Sequence, residues 1–366
     1  MILTALCIAL GFFYRYALTL FLLIFTYFEL VDATNYLNHH YLVILFGVLL
    51  LFAPAHRFFS LDTWRGTVTQ QTVAPRFYVS ILILQIAIVY TFAGIAKINT
   101  DWLMNAMPLR IWLLEYQDLP LIGGLLKHVQ TAFAFSWFAA LYDCTIVYFL
   151  LFKKTRNYAY FTVIIFHGLT ALFFNIGIFP WLMILSNLLF FGDGFHNKLY
   201  AYTTSTPLSK PSSSSLAHPY LLAVVALYFM VQLVLPLRHL VYSGDTMVTE
   251  LGYRFGWRVM LLEKAGIATF TLLDRDTQRS MEIKNKDYLS EFQEKQMAIQ
   301  PDFMLQFARH VAQQNKELVS NPKVIVSSFI TLNGRMSQRF IEPELNLLAL
   351  EDDWGDKPWI IYRSIK

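Results

Sequence analysis

The chain has 366 residues, of which 56% are hydrophobic and only 15% charged, with a mean hydropathy of +0.45; that excludes an ordinary soluble domain and points to a membrane protein. A net charge of +4, with no dense Lys/Arg block and with aromatic residues spread through apolar runs, argues against a nucleic-acid partner. Both cysteines, Cys7 and Cys144, lie inside apolar runs with no CxxC or Cys/His cluster, so neither a disulfide framework nor a zinc or other metal site is expected.

In chain order, the opening run MILTALCIALGFFY is shorter than the roughly 20 residues that cross a bilayer, and it lacks the basic start and small-residue cleavage site of a signal peptide. It reads as a span whose beginning is missing. Candidate spans follow at residues 16–31, 41–55, 78–96, 132–152, 158–178 and 219–236, and the stretch 179–192 is long enough only for a tilted or re-entrant piece. The expected fold is mainly α: a polytopic membrane helix bundle of about 7–8 apolar segments.

Lys and Arg next to spans favour the cytoplasmic side. The connection Lys153–Arg156 is the strongest such signal, and Arg15, Arg57, Arg65 and Arg76 fall on the same side when the spans are counted. The loop 33–40 and the loop that begins at Lys97 then face the exoplasmic side. With TSTPLSKPSSSS as a cytoplasmic linker, the last span delivers the tail to that side too.

From about residue 245 the character changes to charged, soluble-domain patterning. RVMLL and ATFTLL read as β-rich segments around the turn DRDTQ. Pro301 opens a helix with Phe303, Phe307 and Val311 on one face, and VIVSSFITL meets Asn333-Gly334, a hairpin signal, before RMSQRF returns. The expected organisation is a transmembrane domain over 1–244 and a small α+β exoplasmic module over 245–366.

Few residues in the spans can do chemistry. Lys97 in TFAGIAKINTDW stands where an apolar run gives out. It is either a flanking lysine that snorkels to the headgroups or an amine enclosed by protein, where loss of hydration disfavours the ammonium and a general base results. His39 and His40 lie in the loop assigned to the side of Lys97. His167 falls inside VIIFHGLTALFF, where a polar group is costly; a structural bond to a neighbouring carbonyl and a functional role are both open. His56 in PAHRFFSLD and His239 in LPLRH sit at span ends, where an interfacial structural role is the plain alternative. Glu29, Asp32 and Asp143 are the notable acids, and Asp143 must face the bundle interior or pair with a base. No GxSxG, P-loop, dinucleotide fingerprint or HExxH is present.

The stretch IVYTFAGIAKINTDW resembles a segment of the vitamin K-dependent gamma-glutamyl carboxylases, IVYFIAGVKKLDADW, and the resemblance continues collinearly. NHHYL at 38–42 resembles NHSYL, FHGLTALFFNIGIF at 166–179 resembles FHCMNSQLFSIGMF, and QLVLPLRH at 232–239 resembles QLFLPYSH. In the tail, ELGYRFGWRVM and ITLNGRMSQRFIEPELNLL resemble GLYGYSWDMM and VSINDRFQQRIFDPRVDI. The architecture is similar to compact relatives with HTTM domains.

The resemblance implies that Lys97 is the base that ionises vitamin K hydroquinone (reduced menaquinone or phylloquinone) for reaction with O2. The strongly basic oxygenated product then takes a γ-proton from a glutamate of a polypeptide substrate, CO2 traps the carbanion, and the vitamin leaves as its epoxide. An amine is too weak a base for a glutamyl γ-proton but strong enough for a phenol-like hydroxyl, and an apolar site protects the reactive product from water. The block NHHYL adds Asn38 to the supporting candidates His39, His167, His56, Asp143 and His239. Two departures stand out: the family's lysine pair is Ala96-Lys97 here, and His56 lies one residue earlier than the histidine of ANHYWSVD. The alternative implied function is an HTTM-family membrane protein without carboxylase activity that binds a quinone or lipid or acts as an accessory. A transporter ranks third because paired broken helices are absent from the pattern.

Overall fold

The computed structural model describes residues 1–71, 75–192, 195–196, 219–351, 353 and 355–362. The linker TSTPLSKPSSSS lies outside the described residues. The chain forms two compact units, each discontinuous in sequence: Met1–Ile95 with Ala139–Leu233, and Ala96–Phe138 with Val234–Lys366.

The first unit is helical. Among the described residues four helices are long and apolar enough to cross a membrane: Tyr14–Val31, Arg76–Ala96, Val129–Leu151 and Pro219–Val241. At about 1.5 Å per residue the Arg76–Ala96 helix is roughly 31 Å long, matching a hydrocarbon core of about 30 Å. Asn38–Phe52 and Phe179–Phe190 are apolar but shorter, so the number of full-length spans is smaller than the sequence pattern suggests. The expected span 158–178 is the helix Arg156–Phe173, which stops before the non-helical residues Phe174–Ile176. The stretch 179–192 is a single short helix, Phe179–Ser186, continued by a 3-10 turn, Asn187–Phe190.

Helices approach closely where a glycine replaces a side chain. A Cβ on Gly47 would lie 2.5 Å from Leu22 Cδ2, and one on Gly94 would lie 2.6 Å from Cys144 Sγ and 2.8 Å from the Cys144 backbone nitrogen. The Tyr14–Val31 helix is capped from a distance: Asp62 accepts the backbone N–H groups of Phe13 and Tyr14 at 2.9 and 3.1 Å, which satisfies donors that a helix start leaves free.

The second unit carries the sheet. Strands β1 (Lys264–Asp274), β2 (Ser280–Ile283), β3 (Pro322–Leu332) and β4 (Gln338–Arg339) form an antiparallel sheet in the order β2-β1-β3-β4. The helices Glu291–Met297 and Pro301–Gln314 cross from β2 to β3, with Pro301 in the first turn where its missing N–H costs nothing. Phe303, Phe307 and Val311 face a core with Phe270, Leu272, Val324, Val326 and Ile330, and Phe270 meets Phe307 edge to face at 4.8 Å. The module is therefore α+β.

The turn after β1 closes as its residues direct: Asp274 accepts from the Thr277 hydroxyl at 2.8 Å and the Asp276 N–H at 3.1 Å. The Asn333-Gly334 turn sits between β3 and β4, with φ of 49° at Asn333 and 75° at Gly334. One expected strand is absent: RVMLL, residues 258–262, is irregular, because Trp257 and Met260 occupy the left-handed region, with φ of 55° and 59°, and interrupt an extended run.

Candidate functional site

The Arg76–Ala96 helix ends one residue before Lys97, where the chain turns tightly. Asn99 makes the turn: its N–H donates to the Lys97 carbonyl at 2.9 Å and its Nδ2 to the Ala96 carbonyl at 2.8 Å. Its Oδ1 then accepts from Trp102 N at 2.9 Å as the cap of the next helix, Thr100–Asn105. The sequence NTDW is thus a helix start.

Lys97 is buried, with 5% of its surface exposed, and does not snorkel into solvent. Its Nζ lies 5.3 Å from the centre of the Trp102 ring, within cation–π range. Trp102 is itself fixed at both ends. Its indole N–H donates to the Ser136 carbonyl at 2.8 Å, and the Ser136 hydroxyl donates to the Trp102 carbonyl.

Next to Trp102, the Asp101 carboxylate is gripped by the turn after β3. Arg335 donates to it with both ends of its guanidinium, Nη1 at 2.8 Å and Nη2 at 2.5 Å, and Asn333 Nδ2 donates at 2.9 Å. This hydrogen bonding holds the Arg335 pKa above its ordinary value. Asn333 is locked in turn: its Nδ2 also donates to the Leu261 carbonyl at 3.1 Å, and its backbone N–H and side-chain oxygen exchange bonds with Glu263, each 2.8 Å. Glu263 also accepts the Trp112 indole N–H at 2.5 Å. His239 belongs to this unit. Its Nδ1 donates to the Pro236 carbonyl at 2.8 Å, and a Cβ on Gly252 would lie 2.6 Å from its Cα, so the ring is held by backbone.

The helical unit gathers a second set of polar groups, all deeply buried. The Tyr90 hydroxyl lies 3.0 Å from His167 Nε2 and 3.3 Å from the Tyr142 hydroxyl, and it accepts from Asn187 Nδ2 at 2.9 Å. Asn187 Nδ2 also donates to the Met183 carbonyl at 2.7 Å. His167 Nδ1 and Asn187 Oδ1 are buried without a hydrogen-bond partner. Unsatisfied polar atoms at such depth are costly, and they mark a place where a polar guest or a water would be stabilised. His167 is therefore joined to phenols and an amide and does not simply bond a neighbouring carbonyl.

Phe179 connects this cluster to His39. Its ring centre is 5.9 Å from that of His167 and 6.0 Å from that of His39, and Gly177, with φ of 61°, approaches His39 Nε2 closely enough that a Cβ would lie 3.7 Å from it. Asn38 accepts from the Tyr36 hydroxyl at 3.3 Å. His40 turns elsewhere, with Nδ1 2.8 Å from Glu29 Oε1. Asp143 is buried on the Val129–Leu151 helix, next in sequence to Tyr142.

His56 has a local task. It stacks on Tyr14 with ring centres 5.1 Å apart in the 3-10 turn Ala55–Arg57, and burial, then Arg15, lowers its pKa while Asp62 opposes them. Among the sequence candidates, then, the structure brings His39 and His167 to one aromatic ring and leaves His56 with the Tyr14 helix start. Lys97 and His239 belong to the sheet-bearing unit; Asn38, His39, His56, Asp143 and His167 belong to the helical unit.

Sequence reasoning missed Tyr90, Tyr142 and Asn187. A phenol or an amide inside an apolar run is no rare event, so none of the three carries a local signal. No His/Cys/Asp/Glu group able to hold a metal is found among the described residues.

No solved structure matches the chain. Two family models do: the HTTM domain over residues 1–194, and the vitamin K-dependent gamma-carboxylase lumenal domain over residues 217–364. The first spans more than half of the chain and the second nearly all of the remainder, so this membrane protein belongs to the vitamin K-dependent gamma-carboxylase family of HTTM-domain proteins.

Proposed function

We propose that the protein is a vitamin K-dependent gamma-glutamyl carboxylase-like enzyme that couples oxygenation of vitamin K hydroquinone to carboxylation of glutamate in a polypeptide substrate. The observation that carries this reading is the enclosure of Lys97: a single amine, buried against Trp102 where an apolar helix ends, in a chain whose family uses a quinol. A lysine amine can accept a phenolic proton, and the indole face beside it steadies the ammonium that results.

The overall reaction balances. Hydroquinone, O2, CO2 and a glutamyl γ-C–H give the epoxide, γ-carboxyglutamate and water; the quinol supplies the electrons and O2 is reduced. The chain's own contribution is to take and return one proton at Lys97 Nζ and to exclude water. Residue chemistry in the helical unit fits a hydroxyl-bearing guest: His167 Nδ1 and Asn187 Oδ1 are buried groups in need of partners. Within the helical unit, His39 and His167, on either side of Phe179, are the next candidates for a functional role, with Asn38 and Asp143 after them. His56 and His239 serve as packing residues in this reading.

Residues 1–244 are taken as the transmembrane HTTM-like part and 245–366 as the exoplasmic module. Lys97 and that module then act on the lumenal or outer side of the membrane, multi-pass spans carrying the chain across.

The test is incubation of the full chain in lipid nanodiscs with vitamin K hydroquinone, 14C-bicarbonate and a glutamate-containing peptide. Labelled peptide together with epoxide is the expected result. Epoxide without labelled peptide would identify a quinol oxygenase that does not carboxylate, and neither product from a folded protein would defeat the enzyme reading. Lys97→Ala is expected to abolish both products, with recovery on addition of a small primary amine.

A further inference from the structure

We infer that Asp101 is a positioning residue for Lys97, and that the turn Asn333–Arg335 sets that position. The inference rests on the reading of Lys97 as the reactive amine. It goes beyond that reading by assigning a task to residues in the sheet module, far along the chain.

The geometry is a chain of fixed groups. Lys97 leaves a helix end, and its side chain returns to the face of Trp102. Four long, flexible bonds separate a lysine amine from its backbone, so an apolar helix end alone leaves the amine many rotamers. The flat ring of Trp102 narrows that choice. Trp102 holds its place because Ser136 pins the indole N–H and the backbone carbonyl, while Asn99 caps the helix that carries it.

That helix, Thr100–Asn105, has little more than one turn and too few internal bonds to hold itself. Its anchor is Asp101. Three charge-assisted hydrogen bonds reach the carboxylate, one from Asn333 and two from Arg335. A bidentate guanidinium fixes the plane of the carboxylate as well as its distance. Asn333 cannot drift, since it exchanges backbone and side-chain bonds with Glu263 at the start of β1. Gly334 completes the seat: a Cβ there would meet Met107 Cε at 3.3 Å and Ile111 Cδ1 at 3.5 Å, so the turn lies directly against the segment that follows the short helix.

A tether of this kind acts on the rate of a step that needs the amine at one place. Small misplacements of a reacting group cost about 100-fold. Asp101→Asn removes the charge but keeps the shape, and should lower kcat for quinol oxygenation by roughly 10- to 100-fold with KM for the quinol within about twofold. Arg335→Lys, which keeps the charge and loses the fork, should give a kcat between those of the unmodified protein and Asp101→Asn.

The deciding comparison is between backgrounds. In Lys97→Ala rescued by a diffusible amine, nothing remains for Asp101 to position, so adding Asp101→Asn should cost no further rate. An equal loss in both backgrounds would mean a general structural role and overturn the inference. Full activity of Lys97→Ala without amine would instead defeat the base assignment, and this inference with it.

A second measurement needs no turnover. Mass spectrometry of the intact chain in nanodiscs, after brief exposure to an amine-acylating reagent, reports labelling of Lys97 against exposed Lys127 as control. Asp101→Asn and Arg335→Lys should raise Lys97 labelling roughly tenfold, as local opening does for a protected group, and leave Lys127 unchanged. Unchanged Lys97 labelling in both variants would also overturn the inference.

Discussion

The helical unit and the sheet-bearing unit solve the same problem, satisfaction of buried polar groups, by different means. In the sheet-bearing unit many buried polar side chains are paired with charges or with loop backbone: Asp101 with Arg335, Lys264 with Glu250 at 2.9 Å and the Val248 carbonyl at 3.0 Å, and Asn333 with two separate stretches of chain, at Asp101 and at residues 261–263. Its loops and short helices leave many N–H and C=O groups without regular partners, so side chains supply them. In the helical unit the backbone is satisfied within each helix, and polar side chains are surplus to that need. Around Tyr90 they gather with one another, neutral group to neutral group, and two atoms of that cluster, His167 Nδ1 and Asn187 Oδ1, are left over. Surplus polarity inside a membrane unit is a pointer to function, whereas paired polarity in the sheet unit is a pointer to construction.

The contrast can be broken most severely in the sheet unit's core. Phe270 is fully buried against Phe307, and Phe270→Ala should destabilise that unit by about 3–5 kcal/mol, read as a fall in the cooperative thermal transition of the sheet signal by circular dichroism. In the helical unit a sharp packing test is Gly94→Ala. The new methyl group would press on the backbone of Cys144, at a cost of about 1–3 kcal/mol, and faster modification of Cys144 by a maleimide would report the helices parting.

Tyr90→Phe asks what the polar cluster contributes to stability. It strips a partner from Asn187 and His167, yet hydrogen bonds between membrane helices average only about 0.6 kcal/mol. A shift of that size in unfolding, with a much larger loss of quinol binding, would sharpen the distinction between construction and function. Equal effects on both would erase it.

The smallest expected effect concerns pH. Burial lowers the His56 pKa, so the unfolded chain takes up a proton that the folded one refuses. The stability this contributes is present above the ordinary histidine value of about 6.5 and is lost as pH falls from there through the lowered folded value. His56→Gln should flatten the pH dependence of the melting temperature between about pH 7 and 5. An unchanged slope would mean that other groups set it.

The membrane character, the α+β tail, the helix opened by Pro301 and the turn at Asn333-Gly334 were all legible in the sequence. Each rests on a local rule: apolar length, proline at a helix start, left-handed residues at a tight turn. The failures are local conflicts that the pattern could not weigh. RVMLL has strand composition, but left-handed residues at Trp257 and Met260 break it. The apolar run near residues 41–55 made a helix too short to count as a full span, whereas 179–192 is the short piece its length implied.

The candidate site was half legible. Lys97, His39 and His167 announce themselves because charge or an imidazole in an apolar run is expensive and therefore informative. Asn187 and Tyr142 do not, since an amide or a phenol in such a run is common and only its neighbours give it meaning. Asp101 and Arg335 carry no mark in the sequence that pairs them, because 234 residues separate the two.

By itself, then, the sequence determined which segments are apolar enough to be membrane candidates, that a small sheet module follows, and that one lysine stands at the edge of an apolar helix. Hydrophobic length and residue spacing are properties of a linear chain, and they survive without coordinates. Only the tertiary structure decided that Lys97 is enclosed beside Trp102, that Asp101 meets a turn more than half the chain away, and that Tyr90, Tyr142, His167 and Asn187 share one buried cluster. Hydrogen bonds fix partners by distance and direction in space, and residues distant in sequence carry no record of them until the fold brings their donors and acceptors within about 3 Å.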